Sequence, residues 1–90
     1  MIERIRLAIR EQRYRLSSHA IEEMAEDGLE SEDVESLALT GRVHRRFTHD
    51  PRGVRYEVCG KTPDGRSGCV VCRFLPSGSL LIITAYATEP

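Results

Sequence analysis

Gly41-Arg42-Val43-His44-Arg45-Arg46-Phe47-Thr48 is the stretch in which the hydrophobic period of the chain changes. Before it, apolar residues recur every three or four positions, the repeat of a helix. After it they recur at every second position, the repeat of a half-buried strand. Val43 to Thr48, Val54 to Gly60, Cys69 to Leu75 and Leu80 to Tyr86 therefore read as four strands. Between them lie Asp50-Pro51-Arg52-Gly53, Pro63-Asp64-Gly65 and Pro76-Ser77-Gly78-Ser79, in which proline presets φ and glycine accepts the left-handed conformation. Links this short make consecutive strands antiparallel neighbours.

Upstream, Ile2, Ile5 and Ile9 recur at helical spacing and predict an amphipathic helix over 2–13. Tyr14 to Ser17 reads as a link. Ser17 or Ser18 caps a second helix with apolar positions Ala20, Ile21, Met24 and Ala25, stopped by Gly28. Ser31 caps a third, with Glu32 and Asp33 in the first turn, where the helix dipole favours carboxylates. Val34, Leu37 and Ala38 form its buried stripe and Gly41 ends it. Helices first and strands after predict a single α+β domain over 1–90: two to three N-terminal helices packed on one face of a four-stranded antiparallel sheet.

Alternation sorts the strand residues by face. Arg55, Glu57 and Cys59 point away from Tyr56 and Val58; Val71 and Arg73 point away from Val70, Cys72 and Phe74. A two-residue Ser77-Gly78 loop would pair Phe74 with Leu81 and Arg73 with Ile82. Leu81, Ile83 and Ala85 then lie under the helices. The open face collects Arg55, Glu57, Arg73, Ile82, Thr84 and Tyr86, with His44 and Arg46 from the first strand.

Charge follows the same division. The net charge is only −1 over 90 residues, yet residues 17–41 carry eight acidic groups and no basic one, whereas residues 42–73 carry eight basic and three acidic groups. Residues 1–16 carry five basic and two acidic groups, so the second and third helices hold nearly all the acidic charge and the open sheet face is basic, a polarity that favours an anionic partner on the sheet. A composition with 40% hydrophobic and 30% charged residues is globular rather than disordered. The longest apolar run, Leu80 to Ile83, is too short to span a bilayer, and Glu3, Arg4 and Arg6 interrupt any signal peptide. With an odd number of cysteines these features predict a cytoplasmic protein holding free thiols.

Cys69 and Cys72 have zinc-like spacing, but three residues apart on a strand they face opposite ways, so no metal or cofactor is expected. His19 stands in the first turn of the second helix, where the dipole favours the neutral imidazole. Arg46, Arg55 and Arg73, with Lys61 and Arg66 at a hairpin edge, suit phosphodiester binding, and Tyr86 suits stacking on a base. The same groups could equally be an ion-paired surface, with Glu57 as a partner for Arg73.

Ser18-His19-Ala20, Met24, the Gly28 to Val34 segment, Gly41-Arg42-Val43 and Ile82-Ile83-Thr84-Ala85-Tyr86, in that order, resemble the domain-of-unknown-function family 4258, grouped with toxins of the RelE/BrnT type. The resemblance implies a RelE-like fold and the toxin half of a bacterial toxin–antitoxin pair. Its partner would be a DNA-binding antitoxin, in some cases with a zinc-finger domain. It also implies an endoribonuclease that uses no metal: the RNA 2′-hydroxyl attacks the neighbouring phosphate while cationic side chains stabilise the transition state. The family's histidine-alanine pair falls on His19-Ala20 and its closing threonine and tyrosine on Thr84 and Tyr86. Two family arginines fall on Glu23 and Asp27 instead, and a strand histidine on Gly68-Cys69. The expected catalytic residues are His19, Arg73 and Tyr86, with His44 as a rival to His19. RNA binding is expected at His44, Arg46, Arg55, Lys61, Arg66 and Thr84. The alternative is a non-catalytic module whose basic face docks an acidic or DNA-binding antitoxin, and a third reading is a thiol or zinc protein.

Overall fold

The structure, a computed structural model, describes residues 1–88. Its elements in chain order are α1 (Ile2–Arg10), β1 (Tyr14–Leu16), α2 (Ser18–Asp27), α3 (Ser31–Thr40), β2 (Arg42–Phe47), β3 (Arg55–Lys61), β4 (Ser67–Phe74) and β5 (Leu80–Ala87). This is the expected α+β arrangement of three helices, but the sheet has five strands and is mixed, in the order β1-β5-β4-β3-β2. The segment read as a link is the fifth strand: Tyr14–Leu16 pairs parallel with Leu80–Ile82. Three residues are too few to show an alternation, and the partner lies at the far end of the chain. The first helix also stops early, at Arg10, and Gln12 at φ 59° turns the backbone into β1.

The helix ends follow their local chemistry. The Ser17 side chain accepts a hydrogen bond from the Ala20 N–H at the start of α2, and Gly28 closes that helix at φ 66°. In α3 the capping pair is Glu30 and Asp33 rather than Ser31, each side chain taking up the other's backbone N–H. Ile5 and Ile9 of α1, Val34 and Leu37 of α3 and Val58, Val70, Cys72, Leu80 and Ile82 of the sheet are fully buried between the layers. Ile21, expected in this core, is instead 54% exposed.

The β4–β5 hairpin corrects the predicted register. Leu75 N–H donates to the Ser79 carbonyl and Gly78 N–H to that of Leu75, with Gly78 at φ 92°, so the loop has three residues rather than two. Phe74 therefore pairs with Leu80, Arg73 with Leu81 and Cys72 with Ile82, one step from expectation. Leu80 and Ile82 go under the helices, and Leu81 takes the open face. A β-bulge then leaves Ile83 as the extra residue, because the next pair is Val71 with Thr84. Beyond it Ala85 is buried and Thr84 and Tyr86 face outward as expected. The slip and the bulge cancel.

Among the described residues no strand lies on the outer side of β5 past Ile82, and α2 takes that place. Ser17 N–H donates to the Ile82 carbonyl at 2.9 Å and the Ser17 hydroxyl to that of Ile83 at 2.7 Å. The Glu23 carboxylate accepts the Ala85 N–H at 3.3 Å, and that of Asp27 accepts the Ala87 N–H at 2.8 Å. Four residues on a helix rise about 6 Å and two on a strand about 6.8 Å, so the two repeats match. Asp27→Ala should cost about 1 kcal/mol in urea denaturation, a partly solvated charged hydrogen bond. Amide exchange should accelerate at Ala87 and stay unchanged at the central Val70; equal exchange at Ala87 would show that the carboxylate does not protect the edge.

Candidate functional site on the open sheet face

All three helices lie against one side of the sheet or its β5 edge, and the register arranges the other side in three rows. Phe47 pairs with Arg55, whose position continues to Arg73, and Arg73 pairs with Leu81, which pairs with Arg15. The middle row is Arg45, Glu57, Val71 and Thr84, and the third is Arg42, Cys59, Cys69 and Tyr86. The first row is thus a belt of three arginines, Arg15, Arg73 and Arg55, interleaved with Leu81 and Phe47. Glu57 is the one acidic residue in these rows.

A second bulge, at His44, decides which cations reach the face. Val43 pairs with Val58 but Arg45 with Glu57, so the phase of β2 shifts by one residue. Arg45 joins the open face. Arg46, expected there, pairs instead with the buried Tyr56, its guanidinium 6.0 Å from that ring centroid. His44 stays on the open side and lines a shallow depression of about 510 Å³ with Glu57, Lys61, Ser67 and the two paired cysteines.

Glu57 is the electrostatic centre. Tyr86 Oη donates to Glu57 Oε2 at 3.1 Å, and Arg45 Nε lies 4.0 Å from Glu57 Oε1. The Glu57 side chain is only 19% exposed. Burial, first, and the hydrogen bond to Glu57, second, raise the Tyr86 phenol above its usual value; the charges of Glu57 and Glu23 act the same way and Arg45 opposes them. The Glu57 carboxylate is thus held between a phenol and a guanidinium on the uncovered face.

The remaining expected residues are dispersed. Thr84 lies in the middle row, on the strand that carries Tyr86. Arg73 is four residues along β4 from the row of Tyr86, about 13 Å. His19 is exposed at the start of α2, around the β5 edge, with Nε2 3.2 Å from Glu23 Oε1. Arg66 is spent on structure: it donates to the carbonyls of Asp27 and Gly28 at 3.0 and 3.1 Å, where the negative end of the α2 dipole favours a cation. Lys61 Nζ donates to the Ser67 hydroxyl at 2.6 Å on the rim of the depression. Sequence reasoning underrated Glu57 and missed Arg45, because nothing in Val43-His44-Arg45-Arg46 announces a bulge.

Cys59 and Cys69, expected as free thiols, face each other directly and form a disulfide. The β3–β4 register puts them on one face, a fact of pairing that spacing does not reveal. Cys72 lies on the opposite, helix-covered face, away from Cys69. Burial pushes its thiol up to about 12, so it is no nucleophile.

A protein-family model, Domain of unknown function (DUF4258), matches residues 16–87. The chain belongs to this family. The match runs from the end of β1 through β5, so every residue of the Arg45–Glu57–Tyr86 cluster lies within the family domain, and α1 lies before it. No curated protein and no solved structure matches the chain.

In a ¹³C NMR titration Tyr86 should keep its proton beyond the ordinary tyrosine range. Its neutral form stabilises the fold up to about pH 10, the unfolded value, and that contribution is lost as pH rises through the higher folded value. Glu57→Gln should bring the Tyr86 transition down part of the way, burial holding the rest. An unmoved transition would show that Glu57 does not act on the phenol.

Proposed function

We propose that this chain is a ribonuclease of the RelE/BrnT toxin type, the toxin half of a bacterial toxin–antitoxin pair, and that it acts on RNA across its open sheet face. The observation that carries the reading is the Arg45–Glu57–Tyr86 cluster on an uncovered face, next to the row of Arg15, Arg73 and Arg55. A single-stranded RNA lies along the arginine row, its phosphates taken by guanidinium groups and its bases against Phe47 and Tyr86. The Glu57 carboxylate takes the proton of a 2′-hydroxyl, whose oxygen attacks the adjacent phosphorus. The P–O5′ bond breaks, leaving a 2′,3′-cyclic phosphate, and the departing 5′-oxygen receives a proton from His44. Arg45 and Arg73 stabilise the charge that builds on the phosphoryl oxygens. His44 takes the acid role ahead of His19 because it lines the same depression as Glu57.

The half-buried apolar residues of the same face, Val71 and Leu81, also favour a protein partner that covers it. An antitoxin with an acidic segment would meet the arginine row and block the RNA path. Competition for one surface is then the means of inhibition.

The test is induction of the chain in a bacterial host, with mapping of new RNA ends and parallel cleavage of RNA by the purified protein. Wild type should arrest growth and create new ends. Glu57→Gln should lower cleavage by about 10²-fold or more and Arg73→Ala by about 10-fold or more, with circular dichroism unchanged. Normal growth and intact RNA from folded, soluble protein would overturn the ribonuclease. RNA binding that persists but is insensitive to salt would overturn the arginine row as the phosphate surface.

A further inference from the structure

The β2–β3 connection closes a second depression at the arginine end of the face, about 480 Å³ in volume, which shares Phe47 and Arg55 with the arginine row but lies apart from the Arg45–Glu57–Tyr86 cluster. Arg46, Phe47, His49, Asp50, Arg52 and Arg55 line it. Its centre is the Asp50 carboxylate, whose side chain is only 6% exposed. Asp50 accepts hydrogen bonds from the Arg52 backbone N–H at 2.9 Å and from Arg52 Nε and Nη2 at 3.2 and 3.3 Å, while Arg55 Nε stands 3.4 Å away. These contacts from Arg52, above all, keep its carboxyl ionised below the ordinary range.

One carboxylate thus gathers two guanidinium groups, and the exposed Arg46 and His49 stand on the same rim. The positive charge exceeds what Asp50 neutralises. Arg55 Nε is buried and makes no hydrogen bond, and the Arg55 guanidinium rests on the Phe47 ring at 5.1 Å, held on its open side by an apolar wall. The Arg52 side chain is 71% exposed, so the surplus positive charge is open to a second anion from solution. With Nε and Nη2 of Arg52 on Asp50, the remaining Nη donors of Arg52 and Arg55 suit the oxygens of a phosphate group.

We infer that this depression is a phosphate subsite for the nucleotide next to the cleaved one, with Arg52 and Arg55 as its ligands and Asp50 as the positioning residue that presents them. In naming RNA as the source of the phosphate this rests on the proposed function. Arg55 and Glu57 are two residues apart on one face of β3, about 7 Å, so a strand whose reacting phosphate lies over Glu57 places a neighbouring phosphate at Arg55. The subsite would set the register of the RNA on the sheet and add affinity without touching the reacting atoms.

The experiment is NMR titration of the ¹⁵N-labelled full chain with inorganic phosphate, with uridine 5′-monophosphate and with a 2′-O-methyl dinucleotide that cannot be cleaved. The expected result is saturable shifts at Phe47, His49 and the side-chain Nε of Arg52 and Arg55, the dinucleotide binding several-fold more tightly than inorganic phosphate. Arg52→Gln should weaken binding several-fold. Asp50→Asn should weaken it too, although it makes the pocket more positive, because the guanidinium groups lose their fixed placement; tighter binding would overturn the positioning role. No saturable shift in the loop overturns the site, and equal affinity for inorganic phosphate and dinucleotide overturns its assignment to RNA. Glu57→Gln should leave these shifts in place. Binding in the pocket by a protein that cuts no RNA would keep the subsite and remove the ribonuclease.

Discussion

The outer edge of β5 is the constraint around which this domain is organised. The strand pairs with β4 along one side, but on the other, among the described residues, its strand partner is the three-residue β1. An unpaired row of backbone groups beside a hydrophobic core is both costly and open to unwanted pairing. Ser17, Glu23 and Asp27 supply the missing partners from α2, so a helix does the work of an edge strand. The Glu23 and Asp27 carboxylates bind backbone N–H groups there, which cations could not do. This role also pins α2 to the sheet margin and draws His19, bonded to Glu23, away from the open face.

Covering the sheet on one side only separates the charges. Residues 17–41, with their eight carboxylates, form α2 and α3 behind the sheet, and the arginines of the strands gather on the front. Such a polarised molecule orients an anionic chain toward the front before any contact forms. Within that positive field the half-buried Glu57 is an exception, held by Arg45 and Tyr86. A lone carboxylate on a cationic surface has to be stabilised by its neighbours, and here the Tyr86 hydroxyl and the Arg45 guanidinium do so. The disulfide beside it ties β3 to β4 and stiffens the floor on which the cluster stands.

The differences between the reading of the sequence and the structure concentrate at two bulges and one loop. At Ile83 the error in hairpin length and the bulge offset each other, so Thr84 and Tyr86 come out on the open face although Ile82 does not. At His44 nothing offsets the bulge, and Arg45 and Arg46 exchange faces. A one-residue slip reverses every side chain beyond it, because the repeat of a strand is two. The single parallel pairing, β1 with β5, joins residues 66 apart and leaves no local trace.

Local chemistry written in the chain determined the helices, their caps and stops, the four long strands, the one-sided cover and the separation of charge. Each of these follows from residues within a few positions of one another: the period of the apolar residues, Ser17 and Gly28 at the ends of α2, and Gly78 in its turn. The tertiary structure alone decided which side chains meet. The Cys59–Cys69 pair, the Arg45–Glu57–Tyr86 cluster, the Asp50 pocket and the α2 edge all depend on register between strands or on packing of a helix against a distant strand. Those choices minimise buried unpaired backbone over the whole domain, a condition that no short window of sequence contains.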